Sequence, residues 1–589
     1  MKFQKRYLFV SCLLLLAAVP LFAQTAHQIT TIQATAAPYS IPWIDSGYKA
    51  GAAWTSATNY VEIFPSTEYQ EMYGFGGTFY ELAWAAMQHL DSAGRDSVMR
   101  ALFDTAGCNL NWGRIPVGVC DYDFAVTPYT PDDNSNDTSM SKFSLARDSL
   151  RKIPFIKYAQ AIRAAEGQPA MRFFASPWSP PAWMKSNNNI GGATGGTGNF
   201  VSNPANCRAY ALYLDKWIKG YAAAGINVET ITCQNEQDQT SHGYPQCAWT
   251  EGQEDSFYSK YLVPRFRADS LNARILLGVY CCADYVQQLL QDTVVKNFVN
   301  WTSHSYESTT NGPTYISYDS KIPFMETESM WTPSGETWSV GTSLFSNIQA
   351  FMAESASVYT VWQTVTHIGG NNGGWTNSLG GQPEMITIDT TKTPSPVVYA
   401  PEFYACKHYS HFLQPGAFFV KSTNHGTAPA LSSSFINPDG SIIYVAEDSS
   451  AAATALTIKV GTEMYQVTLP AHSYTTVKIT NSTAVRDIQL ARNSAASQLN
   501  NLRIRNSTLY FSLSPAMNAM EANLTLSDIQ GRTVWTGHRT GSALRGGQQS
   551  FAIGTAHGAL PSGTYLLSAK IKNVAGAVVA VERKVSTVN

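Results

Sequence analysis

Charge is scarce in this 589-residue chain: Asp, Glu, Lys and Arg supply 14% of the residues, and 40 basic against 42 acidic side chains leave a net charge of −2. Cysteine pairs at zinc spacing are also missing, which removes the usual framework of a structural zinc site. The HxxH formed by His408 and His411 sits in the aromatic run HYSHF, where packing is the expected role. Neither a metal nor another cofactor is expected. Beyond the N-terminal segment no stretch is apolar and long enough to cross a bilayer, which takes about 20 residues. GFGG, Gly74 to Gly77, has no lysine behind it and lacks dinucleotide spacing, so it is no phosphate loop. It predicts a tight turn ahead of a helix with Leu82, Ala86 and Leu90 on one face.

Aromatic residues, by contrast, are plentiful at 12%, with 14 Trp and 30 Tyr. That balance suits a secreted protein with stacking surfaces, and also large cores. Lys2, Lys5 and Arg6 precede an apolar run that ends in small residues at Ala23, which predicts a signal peptide over 1–23. The expected location is extracellular, secreted or attached to the cell surface. Once Cys12 leaves with that peptide, Cys108, Cys120, Cys207, Cys233, Cys247, Cys281, Cys282 and Cys406 remain. Their even number permits disulfides in an oxidising compartment but does not choose partners.

Length suggests two to four units at roughly 150 residues each, fewer if one is an α/β barrel. Residues 24–69 are rich in Ala, Thr and Ser up to about Tyr60 and then carry YVEIFPS, Tyr60 to Ser66, an alternating strand whose expected partners lie far along the chain. From 70 to 400 strand-like and helix-like segments alternate, which predicts a parallel (β/α)8 barrel. Short alternating strands over 401–480 predict a β-sandwich beside it, with YVEIFPS as its distant strand. A polar linker, 481–500, leads to a small all-β domain over 501–589. Residues 481–589 carry eleven Lys and Arg against four Asp and Glu, a basic tail on an otherwise acidic chain.

The chemistry is expected where two strands end. VETITCQNEQD, Val228 to Asp238, is a strand-like run that stops at Gln234, Asn235 and Glu236. KIPFMETESMW, Lys321 to Trp331, repeats the design with Glu326 and Glu328, which strand alternation places on one face. Two carboxylates at the C-terminal ends of barrel strands point to glycoside cleavage.

In chain order, GFGGTFYELA, RIPVGVCDYDF, FSLARDSLRKIPFI, ASPWSPPAWMKSN, QNEQ with HGYPQC, and EFYACKHYSHFLQPGA resemble glycoside hydrolase family 30, on its glucosylceramidase and β-1,6-glucanase side. The resemblance covers about Tyr60 to Ile479 and implies a barrel, a side β-sandwich built partly from early strands, and retaining hydrolysis. By it, Glu236 matches the acid/base and Glu328 the nucleophile, with Glu326 the competing carboxylate. Asn235 matches the amide that binds the sugar 2-hydroxyl. Asp121, Trp178, Tyr244, Tyr306 and Trp362 match substrate-binding positions, and Arg114 and His304 match supporting ones. Trp183 of the same motif is read as packing. Two departures stand out: Gln237 where the family has proline, and Gln363 where asparagine is common. The tail, with GRTVWTG and LPSGTYLL, resembles a type IX secretion sorting domain. The expected partners are a polysaccharide substrate and that export machinery, with no nucleic acid and no membrane span, for a monomer. β-1,6-Glucan or a related β-glucan is the leading substrate, xylan the second, and a non-catalytic polysaccharide-binding protein the rival class.

Overall fold

The computed structural model describes residues 25–33, 41–123, 129–192, 198–239, 243–281, 286–303, 322–329, 337–368, 384–480, 499–505, 508–513, 519–528, 533–540, 547–553, 564–573 and 578–588. The chain divides into two units, one up to Ser482 and one from Thr483.

Eight parallel strands close a barrel in the first unit: β1 (Gly74–Thr78), β2 (Trp112–Val117), β3 (Arg172–Pro177), β4 (Val228–Ile231), β5 (Arg274–Leu277), β6 (Val299–Ser303), β7 (Phe324–Ser329) and β8 (Ala356–Val361). Each pairs with its sequence neighbours, and β8 closes on β1. Trp112, Phe174, Leu276, Met325 and Val358 fill the interior from five different strands. Burying a side chain of this kind contributes about 1.5–3 kcal/mol. The predicted tight turn at GFGG is instead β1. The glycines answer to crowding: a Cβ on Gly74, whose φ is +138°, would meet the Asn111 side chain at 1.9 Å. Asn111 needs that space, because it accepts from the Phe75 N–H at 3.0 Å and donates to the Tyr73 carbonyl at 2.9 Å.

Helices cover the barrel between strands. The helix Pro204–Ala223, between β3 and β4, starts where Asn203 accepts from the Ala205 and Asn206 N–H groups and Pro204 takes the first turn. Its buried Tyr210, Leu214, Trp217 and Tyr221 recur at helical spacing and face the barrel. The last helix, Pro401–Ser410, precedes the strand Ala417–His425, so the C-terminal sandwich strands begin only there.

Ten strands form the sheet beside the barrel. Tyr60–Met72 lies inside it, antiparallel to Ala417–His425 and parallel to Thr454–Val460. Thr25–Ile32 pairs with Ser473–Thr480. The sheet curls back on itself, since Gln28 donates to the Thr468 carbonyl at 2.7 Å from a distant place in the strand order. His408 of the last helix docks this layer through Thr31 Oγ1 at 2.9 Å and Thr476 Oγ1 at 2.8 Å. His411 contacts the Gly107 carbonyl at 3.0 Å. Among the described residues Cys108, Cys120, Cys207, Cys233, Cys247 and Cys406 are free thiols, all buried; Cys282 lies outside those residues.

The second unit is a seven-stranded sheet in the order Thr533–Thr540, Ala519–Asp528, Thr564–Asn573, Val578–Val588, Leu499–Arg505, Thr508–Leu513, Gly547–Ala552. Ala522, Leu524, Leu526, Leu567, Ala569 and Ile571 are buried in it.

Candidate active site

Parallel strands bring all eight C-terminal ends to one mouth, so the residues just after them meet there. Arg114, near the end of β2, is fully buried and gathers three neighbouring segments. Its Nε donates to Ser176 Oγ at 2.9 Å, its Nη2 to Asn235 Oδ1 at 2.5 Å, and its Nη1 to the Thr327 carbonyl at 3.2 Å. Nη1 also forms the ion pair with the Glu328 carboxylate. The guanidinium lies 4.6 Å from the Trp178 ring and 5.3 Å from the Trp362 ring, and these two indoles stack at 4.9 Å. A rigid five-donor fork can hold such a set of acceptors where an ammonium could not.

Glu328 reaches Arg114 because the pairing of β7 with β8 is irregular between Glu326 and Ser329. Met325 points into the barrel core and the Thr327 hydroxyl meets Ser303 at 2.7 Å, whereas Ser329 meets Asn347 on the surrounding helix. The alternation therefore breaks after Thr327, and the bulge turns Glu328 inward beside it. This corrects the expectation that Glu326 and Glu328 share a face. Glu326 is paired in register with Tyr359, which packs outward on Phe351, and its carboxyl accepts the Glu328 N–H at 3.1 Å.

Past β4, each residue of the QNE segment is tied to an adjacent strand end. The Asn235 N–H donates to Pro177 at 2.6 Å and the Glu236 N–H to Val279 at 2.8 Å. Glu236 has φ +45° and Val279 φ +64°. Left-handed backbone is uncommon for non-glycine residues and exceptional for a β-branched one; it costs about 1–3 kcal/mol and gathers at functional sites.

The carboxyls here are strongly perturbed. Burial raises Glu236 well above the ordinary carboxylate range, the charges of Glu328, Asp121 and Asp238 raise it further, and Arg114 opposes them. Burial and then Glu328 push Asp121 up to about 8, against Arg114 and a hydrogen bond from Trp178. Burial raises the Tyr244 hydroxyl, followed by Glu236, Asp121 and Glu328, so this ring stands among the same three carboxyls. Asp121, Trp178, Asn235, Tyr244, Trp362 and Arg114 thus belong to one cluster with Glu236 and Glu328. His304 and Tyr306 lie outside the described residues. Trp183 packs against the main core.

Ser176, Val279 and Glu254 were not singled out from the sequence. Ser176 and Val279 read there only as strand residues, and Glu254 carried no reading at all. The two departures are both buried: Gln237 donates to Glu254 Oε1 at 3.0 Å, and Gln363 to the Tyr122 hydroxyl at 2.8 Å.

A carboxylate held by a guanidinium, facing a carboxyl kept protonated by burial and like charge, is the pair that double displacement at a glycosidic carbon requires. Residues 72–413 match the glycosyl hydrolase family 30 TIM-barrel domain, and residues 416–477 the family's β-sandwich domain. The chain belongs to glycosyl hydrolase family 30. It is therefore a retaining glycoside hydrolase. This family 30 enzyme is 26% identical over 418 residues to a lysosomal acid glucosylceramidase of Mus musculus, covering 67% of this chain and 78% of that one. It is 24% identical over 402 residues to an endo-1,6-β-D-glucanase of Trichoderma harzianum, covering 64% and 78%. A solved endo-β1,6-glucanase superposes with a TM-score of 0.63 at 18% identity, over 77% of this chain and 99% of that one, which shows the shared fold.

Proposed function

We propose that the enzyme hydrolyses a β-glucan outside the cell, with β-1,6-linked glucan as the leading substrate, and that Glu236 and Glu328 carry the reaction. The observation behind this reading is Arg114, which holds Glu328 and Asn235 at once and so joins the nucleophile to the amide beside the acid. Glu328 attacks the anomeric carbon while Glu236 protonates the departing oxygen. The C–O bond to the leaving sugar breaks as the Glu328–sugar ester forms. Glu236, now ionised, takes a proton from water, whose oxygen replaces Glu328 at the anomeric carbon. Asn235 binds the sugar 2-hydroxyl, a contact that strengthens as positive charge develops.

A glucosylceramidase and a 1,6-glucanase among the relatives both support glucose as the sugar attacked. Export is supported by the basic and apolar N-terminal segment, and a sorting role for the last domain by GRTVWTG and LPSGTYLL. A polysaccharide panel tests the reading, with released reducing ends and product length measured. Cleavage of β-1,6-glucan is expected. Release from xylan alone would replace the substrate, and binding without release from any polymer would favour a non-catalytic role.

A further inference from the structure

Glu254 is a buried carboxyl that double displacement does not use. It stands in the first turn of the helix Glu251–Phe257, fixed by a capping box between Thr250 and Gln253. Its Oε1 accepts from Gln237 Nε2 at 3.0 Å and from Cys233 Sγ at 3.5 Å, and its Oε2 accepts from the Tyr280 hydroxyl at 3.0 Å. These partners are neutral, and among the described residues no cation forms an ion pair with Glu254. Burying a carboxyl in this way costs stability that an apolar side chain would not. Its partners lie in two segments only, the one that carries Glu236 and the one that braces it.

Those segments are joined residue by residue. Glu236 donates to Val279, and Gln237 Nε2 to the Gly278 carbonyl at 3.2 Å as well as to Glu254. The Asp238 carboxylate accepts the Cys281 N–H at 3.0 Å. Gln237 is thus the side chain that ties the turn of Glu236, left-handed and unfavourable by itself, to both the end of β5 and the following helix. Proline, the residue expected from the family pattern, has no group to do this.

We infer that Gln237 and Glu254 are a pair of positioning residues for Glu236: Glu254 orients the Gln237 amide, and that amide holds the backbone from which the proton donor projects. The inference rests on Glu236 as the acid. A donor misplaced by a fraction of an ångström loses proton transfer to the leaving oxygen. Attack by Glu328 needs that proton only when the leaving group is poor, so the pair should matter in proportion to leaving-group basicity.

The test compares kcat/KM for phenyl β-D-glucoside and 2,4-dinitrophenyl β-D-glucoside in the full chain, for wild type, Gln237→Met, Glu254→Gln and Glu236→Gln at about pH 6. Thermal midpoints identify variants that fold. For Gln237→Met and Glu254→Gln the phenyl substrate should lose about 10- to 100-fold, and the dinitrophenyl substrate less than about threefold. Glu236→Gln should show the same selectivity, larger. Equal losses on both substrates, or no loss on either, in folded Gln237→Met and Glu254→Gln overturn the inference. If Glu236→Gln alone is selective, only the inference falls. If Glu236→Gln loses both substrates equally, the functional reading falls and takes the inference with it.

Discussion

Arg114 and the carboxyls around it make the site a problem of charge in a dry place. Asp121 and Glu328 both raise the proton affinity of Glu236, and Glu328 also raises that of Asp121. Replacing Asp121 by Asn removes one negative neighbour, so Glu236 should deprotonate at lower pH. The alkaline limb of the kcat/KM profile should then move toward acid. An unmoved or alkaline-shifted limb would contradict the coupling. Glu254 allows a stability test with a definite sign. Burial pushes it up to about 8, against about 4.3 in an unfolded chain. A folded pKa above the unfolded one means a contribution fully present below about pH 4 and lost as pH rises through about 8. Glu254→Gln cannot ionise, so its unfolding midpoint relative to wild type should rise from about pH 6 to about pH 9. A constant or falling difference would refute the buried neutral form.

At the scale of elements, the strand ends were readable because an apolar run that breaks into Gln234, Asn235 and Glu236 marks a strand leaving the core for a polar mouth. The aim of β7 was not, since a bulge between Glu326 and Ser329 changes which side chains face the mouth without changing the residue pattern. Gly74 to Gly77 misled for a similar reason: glycine serves a turn or a crowded strand equally well, and only the Asn111 side chain decides between them. Glu254 was invisible because one acid in a short polar helix carries no periodic signal. The docking of the last helix on the side sheet was half readable, with packing expected for HYSHF but its partners, Thr31 and Thr476, far away in the chain. His408→Phe would leave both hydroxyls short of a partner. It should lower stability by on the order of 2 kcal/mol in denaturant unfolding, with kcat on an aryl glucoside nearly unchanged. Unaltered stability would show that the helix docks by apolar contact alone.

Across the whole molecule, the early segment is structural to the side sheet rather than an appendage. Tyr60–Met72 lies between two C-terminal strands, and Thr25–Ile32 pairs with a third, Ser473–Thr480. A chain starting at Gly74 should therefore be recovered unfolded or insoluble, whereas one ending at Ser482 should fold and keep kcat/KM on an aryl glucoside within about twofold, because the unit from Thr483 has its own sheet and buried residues. A large loss of kcat/KM after removal of 483–589 would make that unit part of the catalytic machinery.

Every role assigned in the mouth of the barrel depends on Glu328, turned inward by the bulge and held by Arg114, becoming bonded to the sugar. Treating the enzyme with 2-deoxy-2-fluoro-β-D-glucosyl fluoride and sequencing its peptides by mass spectrometry tests this directly. One added fluoroglucosyl group is expected, carried by Glu328, with activity lost in step. A label on Glu326 or Glu236, or undiminished activity with no label, would contradict it.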